Sequence, residues 1–384
     1  MEKKMSRRKF LGVAGTTAVA AALAMGSLSG CNANSATSAN NTTPVPGAGN
    51  EETAFKSEGK GQPLVCGVTG KLIKIAPAII ADKLGYFQEE GCNVEFQTIA
   101  LADAMASMSV NRLDIDLFGV VPACTYVSQG TGIYIFGGTI LNGSEILSHI
   151  SFNKPLRTAE DFRALNIACS REETGQMFLK SHLQKNGLEL DKDVEFVYVD
   201  NSTTAMEGLR SGFHDLWITN NAMGFSLGID DLKVAGTVVD VTGNYPCCRQ
   251  NCSADAYHTK YLSLVDFEVA LLRGYDYYLN NKDTVIPMLC EYSSQEADYV
   301  EAAMYGTATY RNVMNVSPDP YCNAVKKFYD ALKEIGEIDP ETPYTIDEYV
   351  VPDIYRQALD IMLEREPNNE TYKRLDQNFA ANNL

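Results

Sequence analysis

The chain has little histidine and comparatively few basic residues. Its 384 residues include 4 histidines, scattered without His-x3-His spacing, and 1 tryptophan. Lys and Arg number 32 against 49 Asp and Glu, so the formal net charge is -17. No run of basic residues follows residue 9, although binding to a phosphate backbone needs a basic face. We therefore expect no nucleic-acid partner.

Several enzyme motifs are also absent. The sequence has no Gly-x-Gly-x-x-Gly, no Walker loop and no Gly-x-Ser-x-Gly, so it predicts neither a nucleotide cofactor nor a serine nucleophile. No cofactor of any kind is predicted. Beyond the N-terminus there is no long apolar stretch, which argues against a protein that spans a membrane several times. With 45% hydrophobic and 21% charged residues, the composition is that of an ordinary globular protein.

The N-terminus has the pattern of an export signal. Residues 1–9 are basic, and residues 10–30 are apolar and small. Within it, residues 6–11 resemble a twin-arginine signal, and residues 28–31 resemble the lipobox of bacterial lipoproteins. We expect cleavage before Cys31 and a lipid anchor on its thiol, which would hold the protein on the outer face of the cytoplasmic membrane. A plain transmembrane anchor at 10–30 is the alternative.

A polar segment follows the signal. Residues 31–62 are rich in Ser, Thr, Asn and Gly and nearly lack large apolar side chains. Such a segment cannot bury enough surface to fold, so the sequence predicts a flexible tether. We expect the ordered body to begin near Pro63.

From residue 63 onward, apolar strand-like segments alternate with helical ones, which indicates an α/β fold with largely parallel sheets. An internal repeat adds a second clue, because residues 104–114 align without gaps on residues 205–215. Each copy is a short helix, a turn residue that tolerates a left-handed backbone (Asn111 or Gly212) and an Asp that opens an apolar strand. The repeat predicts two similar lobes.

Four segments together resemble a known family. They are residues 79–91, residues 104–119, residues 158–162 and residues 211–215. In this order they resemble the substrate-binding proteins of ABC importers, of the nitrate, sulfonate and taurine type, which are related to the thiamin-pyrimidine binding proteins. The chain departs from that pattern at Asn111, where the family usually has Gly, and at residues 220–221, where it often has an acidic residue and Pro.

The resemblance implies a two-lobed periplasmic-binding-protein-like clamp of type II, with two mostly parallel sheets flanked by helices. The expected domains are a signal (1–30), a tether (31–62), the first part of lobe I (63–152), lobe II (153–252) and a helical return to lobe I (253–384). Its implied function is capture of a small organic anion or heteroaromatic solute for an ABC permease, which requires no catalysis. The alternative is a thiamin-pyrimidine-type binding protein or a pyrimidine synthase-like enzyme.

In open α/β sheets, ligands bind beyond the carboxyl ends of the strands. That rule selects Thr69, Gly70, Lys71, Asp103, Val120 and Thr139 in lobe I and Ser170, Arg171, Thr174, Gly175, Asn201 and Asn220 in lobe II. Residues 170–175 stand between a strand and a helix, where free N–H groups and an Arg suit a small anion. The alternatives are that Ser170 and Thr174 only cap the helix, that Arg171 is a solvated charge and that Lys71 is a surface residue.

The Cys-rich segment 245–252 is the least ordinary feature of the sequence. Three interpretations remain open for Cys247, Cys248 and Cys252: a disulfide, a soft-metal site with His258 as a fourth ligand, or small buried side chains beside a ligand-binding Arg249. The spacing matches no strong zinc signature, so no metal is predicted. We expect residues 254–257 to form the strand that returns to lobe I, which would place Arg249 at the cleft as a bidentate oxyanion contact.

Overall fold

The computed structural model describes residues 59–117, 119–228 and 231–384. The predicted signal, the lipidated Cys31 and the tether up to residue 58 lie outside these residues. Within the described part of the chain, no helix is long and apolar enough to cross a membrane.

The first sheet has six strands in the order β11-β4-β10-β3-β1-β2. Its strands are β1 (Leu64–Val68), β2 (Val94–Thr98), β3 (Ile115–Asp116), β4 (Ile133–Leu141), β10 (Pro246–Ser253) and β11 (Asn315–Val316). β1 is parallel to β2 and β3, whereas β10 and β11 run antiparallel to their neighbours. β4 and β10 are buried almost along their whole length, as strands covered on both faces are.

The second sheet has five strands in the order β7-β6-β8-β5-β9. They are β5 (Ser144–His149), β6 (Asn166–Cys169), β7 (Glu195–Tyr198), β8 (Leu216–Asn220) and β9 (Leu232–Thr237). β6 is parallel to β7 and β8, while β5 is antiparallel to β8 and β9. Both sheets are therefore mixed, and the expected mostly parallel pairing holds for only one half of each. We call the elements around the six-stranded sheet the first lobe and those around the five-stranded sheet the second lobe.

The described helices cover the two sheets and form most of the chain after residue 260. In chain order α1 to α15 are Ala76–Lys83, Tyr86–Glu89, Leu101–Ser109, Val120–Ser128, Thr174–Lys185, Ser202–Ser211, Met223–Leu227, Val238–Thr242, Ala254–Thr259, Tyr261–Asn280, Lys282–Ser293, Ala297–Met304, Cys322–Glu334, Asp353–Arg365 and Glu370–Asn383. Short 3-10 turns occur at Ile73–Ile75 and Ala159–Phe162.

The repeated segment has the same hydrogen bonds in both lobes. Asp114 accepts a 2.8 Å bond from the backbone N–H of Val65, and Asp215 accepts one of equal length from Asn166. Each copy turns through a positive φ, 55° at Asn111 and 70° at Gly212. The strands that follow, β3 and β8, belong to different sheets. The prediction that the two copies are equivalent units in separate sheets is confirmed.

The chain crosses between the sheets twice, at 142–143 and between β9 and β10. The sequence placed these crossings near residues 152 and 252. The two crossing segments are bonded to each other, because Asn142 donates to the Asn244 side chain (2.8 Å) and accepts from the Tyr245 N–H (2.8 Å). The expected return strand at 254–257 is wrong: those residues lie in helix α9, whose first turn is capped by Ser253, and β10 itself is the return strand.

Candidate functional site

A cavity of about 220 Å³ lies between the two lobes. Residues 71–74, Cys247, Cys248, Gln295, Tyr299 and Met314 line it from the first lobe. Asn220, Met223 and Ser226 line it from the second lobe. The cavity therefore has one wall from each sheet.

Local irregularities of the backbone bring the first-lobe residues to the cavity. After β1 the chain turns at Gly70, which has a φ of 79°, and enters the 3-10 turn that carries Lys74. Strand β10 changes register between Pro246 and Cys248, so that Cys247 is the extra residue of a β-bulge. In a regular strand, consecutive side chains point to opposite faces. Here the two consecutive Cys sulfur atoms lie 3.9 Å apart.

Lys74 is the charged group at this wall, and its Nζ lies 3.3 Å from the Cys248 Sγ. The hydrogen bond from Cys247 and the nearby Lys74 ammonium hold the pKa of the Cys248 thiol well below its usual value, although burial opposes this. The hydrogen bond and burial raise the pKa of Cys247. Burial disfavours the charge on Lys74, but the Cys248 thiolate outweighs it, so the pKa of Lys74 is raised. Both pKa shifts favour the thiolate form of Cys248 and the ammonium form of Lys74.

Two buried carboxyl groups lie near this pair. Burial raises the pKa of Asp116 to about 7, and Lys74 lowers it only in part. Burial also raises the pKa of Glu173, in spite of hydrogen bonds from Ser144 and the start of α5. Burial thus opposes the charge on both carboxyl groups, whereas Lys74 and Cys248 form a close pair in the cavity wall.

A second cavity of about 300 Å³ lies beyond the carboxyl ends of β6, β7 and β8. Ser170, Asn201 and Thr219 line it, and Asn220 and Met223 line both cavities. Its ionisable lining residues are all acidic, namely Glu172, Glu173 and Asp200. The rule about strand ends thus finds a cavity in the second lobe, but one whose charge does not suit an anion.

In the predicted anion-binding loop at residues 170–175, a side chain of the loop itself already caps the N-terminus of the helix. Glu173 stands at the start of α5 and accepts a 2.6 Å bond from the N–H of Gln176. Its other oxygen accepts a bond from Ser144. A bound anion would have to displace this buried carboxylate from the helix N-terminus. Arg171 is exposed and stacks on the Tyr198 ring at 4.2 Å, as its alternative interpretation as a surface charge expected.

Arg249 does not face the cleft, so its predicted contact with the ligand is wrong. Its side chain has no exposed surface. The guanidinium donates to the backbone carbonyls of Asp319 (2.8 Å), Pro320 (3.2 Å) and Ile140 (2.7 Å). It therefore ties β10 and β4 to the segment before α13.

The structure divides the other predicted site residues into three groups. Lys71, Asn220, Cys247 and Cys248 line the cavity between the lobes, and Ser170 and Asn201 line the second cavity. The remaining ones line neither: Thr69, Gly70, Asp103, Val120, Thr139, Thr174 and Gly175. Val120, Thr139 and Thr174 are buried, and a Cβ on Gly175 would meet the Ser144 Oγ at 2.3 Å.

The sequence reasoning missed Lys74, Gln295, Tyr299 and Met223. Lys74 carried one available signal, since it follows Lys71 by the three-residue spacing of a 3-10 turn. At residues 220–221, where the chain departs from the family pattern, Asn220 lines the cavity. Asn221 is buried and donates to the carbonyls of Asn142 and Val313 (both 3.0 Å).

Cys252 is separated from the other two thiols. It is fully buried, and the charged neighbours that raise its pKa after burial itself are Asp353 and Asp114. Among the described residues, no group of three or more His, Cys, Asp or Glu side chains is arranged to hold a metal ion. The geometry therefore does not support the three-thiol metal site.

Solved structures with the same fold include periplasmic binding proteins. The aliphatic sulphonate binding protein SsuA from Escherichia coli superposes with a TM-score of 0.61 at 12% identity, over 76% of this chain and 92% of that chain. The nitrate-binding protein NrtA from Synechocystis PCC 6803 gives 0.63 at 15% identity, over 78% and 89%. The desulfurization enzyme DSZB, solved as a cysteine-to-serine mutant with biphenyl-2-sulfinic acid, gives 0.56 at 11% identity, over 78% and 99%.

These likenesses define an α/β fold of the periplasmic-binding-protein type, with two mixed sheets flanked by helices. Residues 73–285, more than half of the chain, match the family model described as NMT1/THI5 like. The chain belongs to the NMT1/THI5-like family, which confirms the resemblance found in the sequence. No curated protein matches the chain.

Proposed function

We propose that this chain is the solute-binding component of an ABC importer and that it holds a small organic anion or heteroaromatic solute between its lobes. The observation that carries the proposal is the cavity of about 220 Å³ with one wall from each sheet and the Lys74 ammonium at one end. A solute that contacts both walls stabilises the closed arrangement of the lobes. Binding of this kind needs no chemical step.

The lining supports a solute with one polar end and an apolar body. The polar end meets Lys74, with Asn220 and Gln295 as further hydrogen-bonding groups. Met223, Tyr299 and Met314 supply apolar and aromatic surface. Ligand sites of this size are commonly apolar with a few placed polar groups. A sulfonate or carboxylate on a short apolar chain fits both requirements.

The anion would compete with the Cys248 thiolate for Lys74. The two negative groups cannot both pair closely with one ammonium in a partly buried site. Binding of an anion therefore favours protonation of Cys248, which couples solute affinity to pH. In a site whose cation has no negatively charged partner within the protein, solute affinity would not depend on pH in this way.

The location is also a proposal. The resemblance of residues 6–11 to a twin-arginine signal and of residues 28–31 to a lipobox supports export and anchoring through Cys31 on the outer face of the cytoplasmic membrane. There the loaded lobes would dock on an ABC permease. The similarity to proteins whose names include "periplasmic" supports the same compartment.

The alternative enzyme, a pyrimidine synthase-like protein with a cysteine metal site, gains no support from the described residues. Cys252 is not grouped with Cys247 and Cys248, and the described residues offer no three-ligand set. A metal-stoichiometry measurement on purified protein tests this directly. One bound metal ion per chain that is lost in a Cys248→Ser variant would favour the enzyme.

A thermal-shift screen tests the proposed function. The panel contains short alkanesulfonates, nitrate, pyrimidines and short carboxylates. A tight ligand at 100 times its Kd adds roughly 2.7 kcal/mol to the free energy of unfolding. We expect at least one anion to raise the Tm of the wild type and of Ser211→Trp, an exposed position away from the cavity, but not of Ser226→Trp, which fills the cavity. Equal shifts in both variants would contradict the site.

A further inference from the structure

The bulge in β10 places two adjacent thiols on one wall of the cavity. Pro246 pairs with Leu141 and Cys248 with Ile140, so Cys247 has no partner in the ladder. Cys247 and Cys248 both line the cavity, and their sulfur atoms lie 3.9 Å apart. A regular strand would have separated them onto opposite faces. The pair is thus a product of local backbone geometry and lies where a small molecule can reach it.

The two thiols have unequal environments. Cys248 lies 3.3 Å from the Lys74 ammonium, and its sulfur shares a hydrogen bond with the Cys247 sulfur 3.9 Å away. The charged groups that face it are Lys74, Arg249, Asp116 and Glu173, of which the two carboxyl groups are buried with raised pKa values. The thiolate is the nucleophile in thiol chemistry. Cys248 is therefore the attacking sulfur, and Cys247 is the thiol beside it.

We propose that Cys247 and Cys248 form a thiol–disulfide exchange site in the cavity, with a small neutral disulfide as its co-substrate. The Cys248 thiolate attacks one sulfur of the disulfide, whose S–S bond breaks and releases a thiolate. Cys247 gives its proton to that leaving thiolate and attacks the Cys248 sulfur. The second small thiolate leaves and takes a proton from water. Two electrons pass from the protein to the disulfide, which becomes two thiols, while the protein gains one disulfide and the Cys248 negative charge is removed.

The product disulfide would be easily reduced again. Adjacent Cα atoms are about 3.8 Å apart across a trans peptide, whereas disulfides usually join Cα atoms about 4.4 to 6.8 Å apart. Strained disulfides are the labile ones. The site therefore suits reversible exchange better than a permanent cross-link. It does not depend on the identity of the solute or on the proposed importer.

The other described thiols provide an internal comparison. Burial raises the pKa of Cys124, Cys169 and Cys252, so they remain protonated. Cys290 is the most exposed thiol in the described part of the chain, and burial raises its pKa as well. If exposure alone determined reactivity, Cys290 would react with the disulfide first. If stabilisation of the thiolate determines it, Cys248 reacts first. The experiment can separate these two causes.

The test treats the purified full-length protein, first reduced, with a large excess of 2-hydroxyethyl disulfide at neutral pH and maps the products by mass spectrometry. The excess keeps the released thiol from reducing the product disulfide. In the wild type we expect loss of two hydrogen atoms in the peptide that contains residues 247–248, without a lasting thioethanol adduct. Cys247→Ser should retain one thioethanol group on Cys248, because no second thiol can displace it. Cys248→Ser should lose the rapid reaction, and Cys290→Ser should behave as the wild type.

The role of Lys74 has its own readout. Lys74→Met should slow the exchange at neutral pH by at least about tenfold and recover much of the rate at high pH, where the thiol ionises without help. Reaction confined to Cys290, or an adduct on Cys247 instead of Cys248, would overturn the proposal. The peptide map of the wild type shows by itself which thiols have reacted, so it tests the proposal even if a variant does not fold. A failed solute screen with a positive map would leave this site standing and contradict the importer alone.

Discussion

The Lys74 ammonium nitrogen lies 3.3 Å from the Cys248 sulfur, although 174 positions separate the two residues in the chain. The contact joins the turn after the first strand to the strand that returns from the second lobe. It places a positive and a negative group side by side in the wall of the cavity between the lobes. Solute recognition and thiol chemistry therefore depend on the same two atoms.

Lys74→Met should weaken binding of an anionic solute. Loss of a desolvated charge contact costs about 2 to 5 kcal/mol, so we expect affinity to fall by at least about tenfold in isothermal titration. Lys71→Met is the matched control, because Lys71 is an exposed residue at the same cavity. Its effect should be several-fold smaller. Equal losses in the two variants would show that Lys74 has no special role.

Oxidation of the adjacent thiols should strengthen anion binding. The disulfide removes the Cys248 negative charge and leaves Lys74 without its thiolate partner. At an effective dielectric of about 20, a pair at this distance is worth roughly 5 kcal/mol, so a gain of about tenfold or more is expected. Titrations of the reduced and oxidised protein measure the gain. Weaker binding after oxidation would contradict the assigned charges.

Arg249→Met should destabilise the fold. It leaves the carbonyls of Ile140, Asp319 and Pro320 buried without their donor. We expect the free energy of unfolding in urea to fall by about 3 to 5 kcal/mol. Arg171→Met, at an exposed position, should change it by less than about 1 kcal/mol. A stable Arg249→Met protein with weakened solute binding would restore the ligand-binding role that the sequence had predicted.

The contribution of Asp116 to stability should fall as the pH rises toward neutrality, whereas the lowered pKa of Cys248 acts in the opposite direction. The pKa of Asp116 is about 7 in the folded protein and about 3.9 when unfolded, so the folded state binds more protons between these values. The free energy of unfolding therefore decreases with pH in this range, by about 2 kcal/mol from pH 5 to 7 for this group. Asp116→Asn removes this contribution, so in urea titrations the wild type should lose about 2 kcal/mol relative to the variant between pH 5 and 7. An unchanged slope would mean that Asp116 is ionised in the folded state.

Anchoring at Cys31 is tested in the producing cell. The lipobox pattern at residues 28–31 predicts a mature chain that begins at a lipidated Cys31. Mass spectrometry of the membrane fraction should find the acylated N-terminus, and Cys31→Ala should accumulate as an unlipidated precursor. An intact, unmodified N-terminus in the wild type would contradict the anchor.

The sequence predicted best those structural features that depend on residues close together in the chain. The helix–turn–Asp repeat predicted two equivalent units, because Asn111 and Gly212 tolerate a positive φ and each Asp caps a neighbouring strand. A pattern within about ten residues determines this arrangement. The family match followed from several such patterns in a fixed order.

The site was harder to predict because it depends on register. A bulge at Cys247 decides which side chains of β10 face the cavity, and the sequence pattern does not reveal it. The same register turns Arg249 inward, toward carbonyls that come from distant parts of the chain. Glu173 was overlooked as a cap because Glu is not among the favoured N-cap residues. Its carboxylate occupies the position that the sequence had assigned to a bound anion.

A crystal structure of the protein with a solute from the thermal-shift screen tests the central claim most directly. We expect the anionic group to lie within hydrogen-bond distance of the Lys74 Nζ. We also expect the apolar body to contact Tyr299 of the first lobe and Met223 of the second. A solute bound outside this cavity, or in contact with one lobe only, would contradict the assignment of the chain as a two-lobed solute receptor.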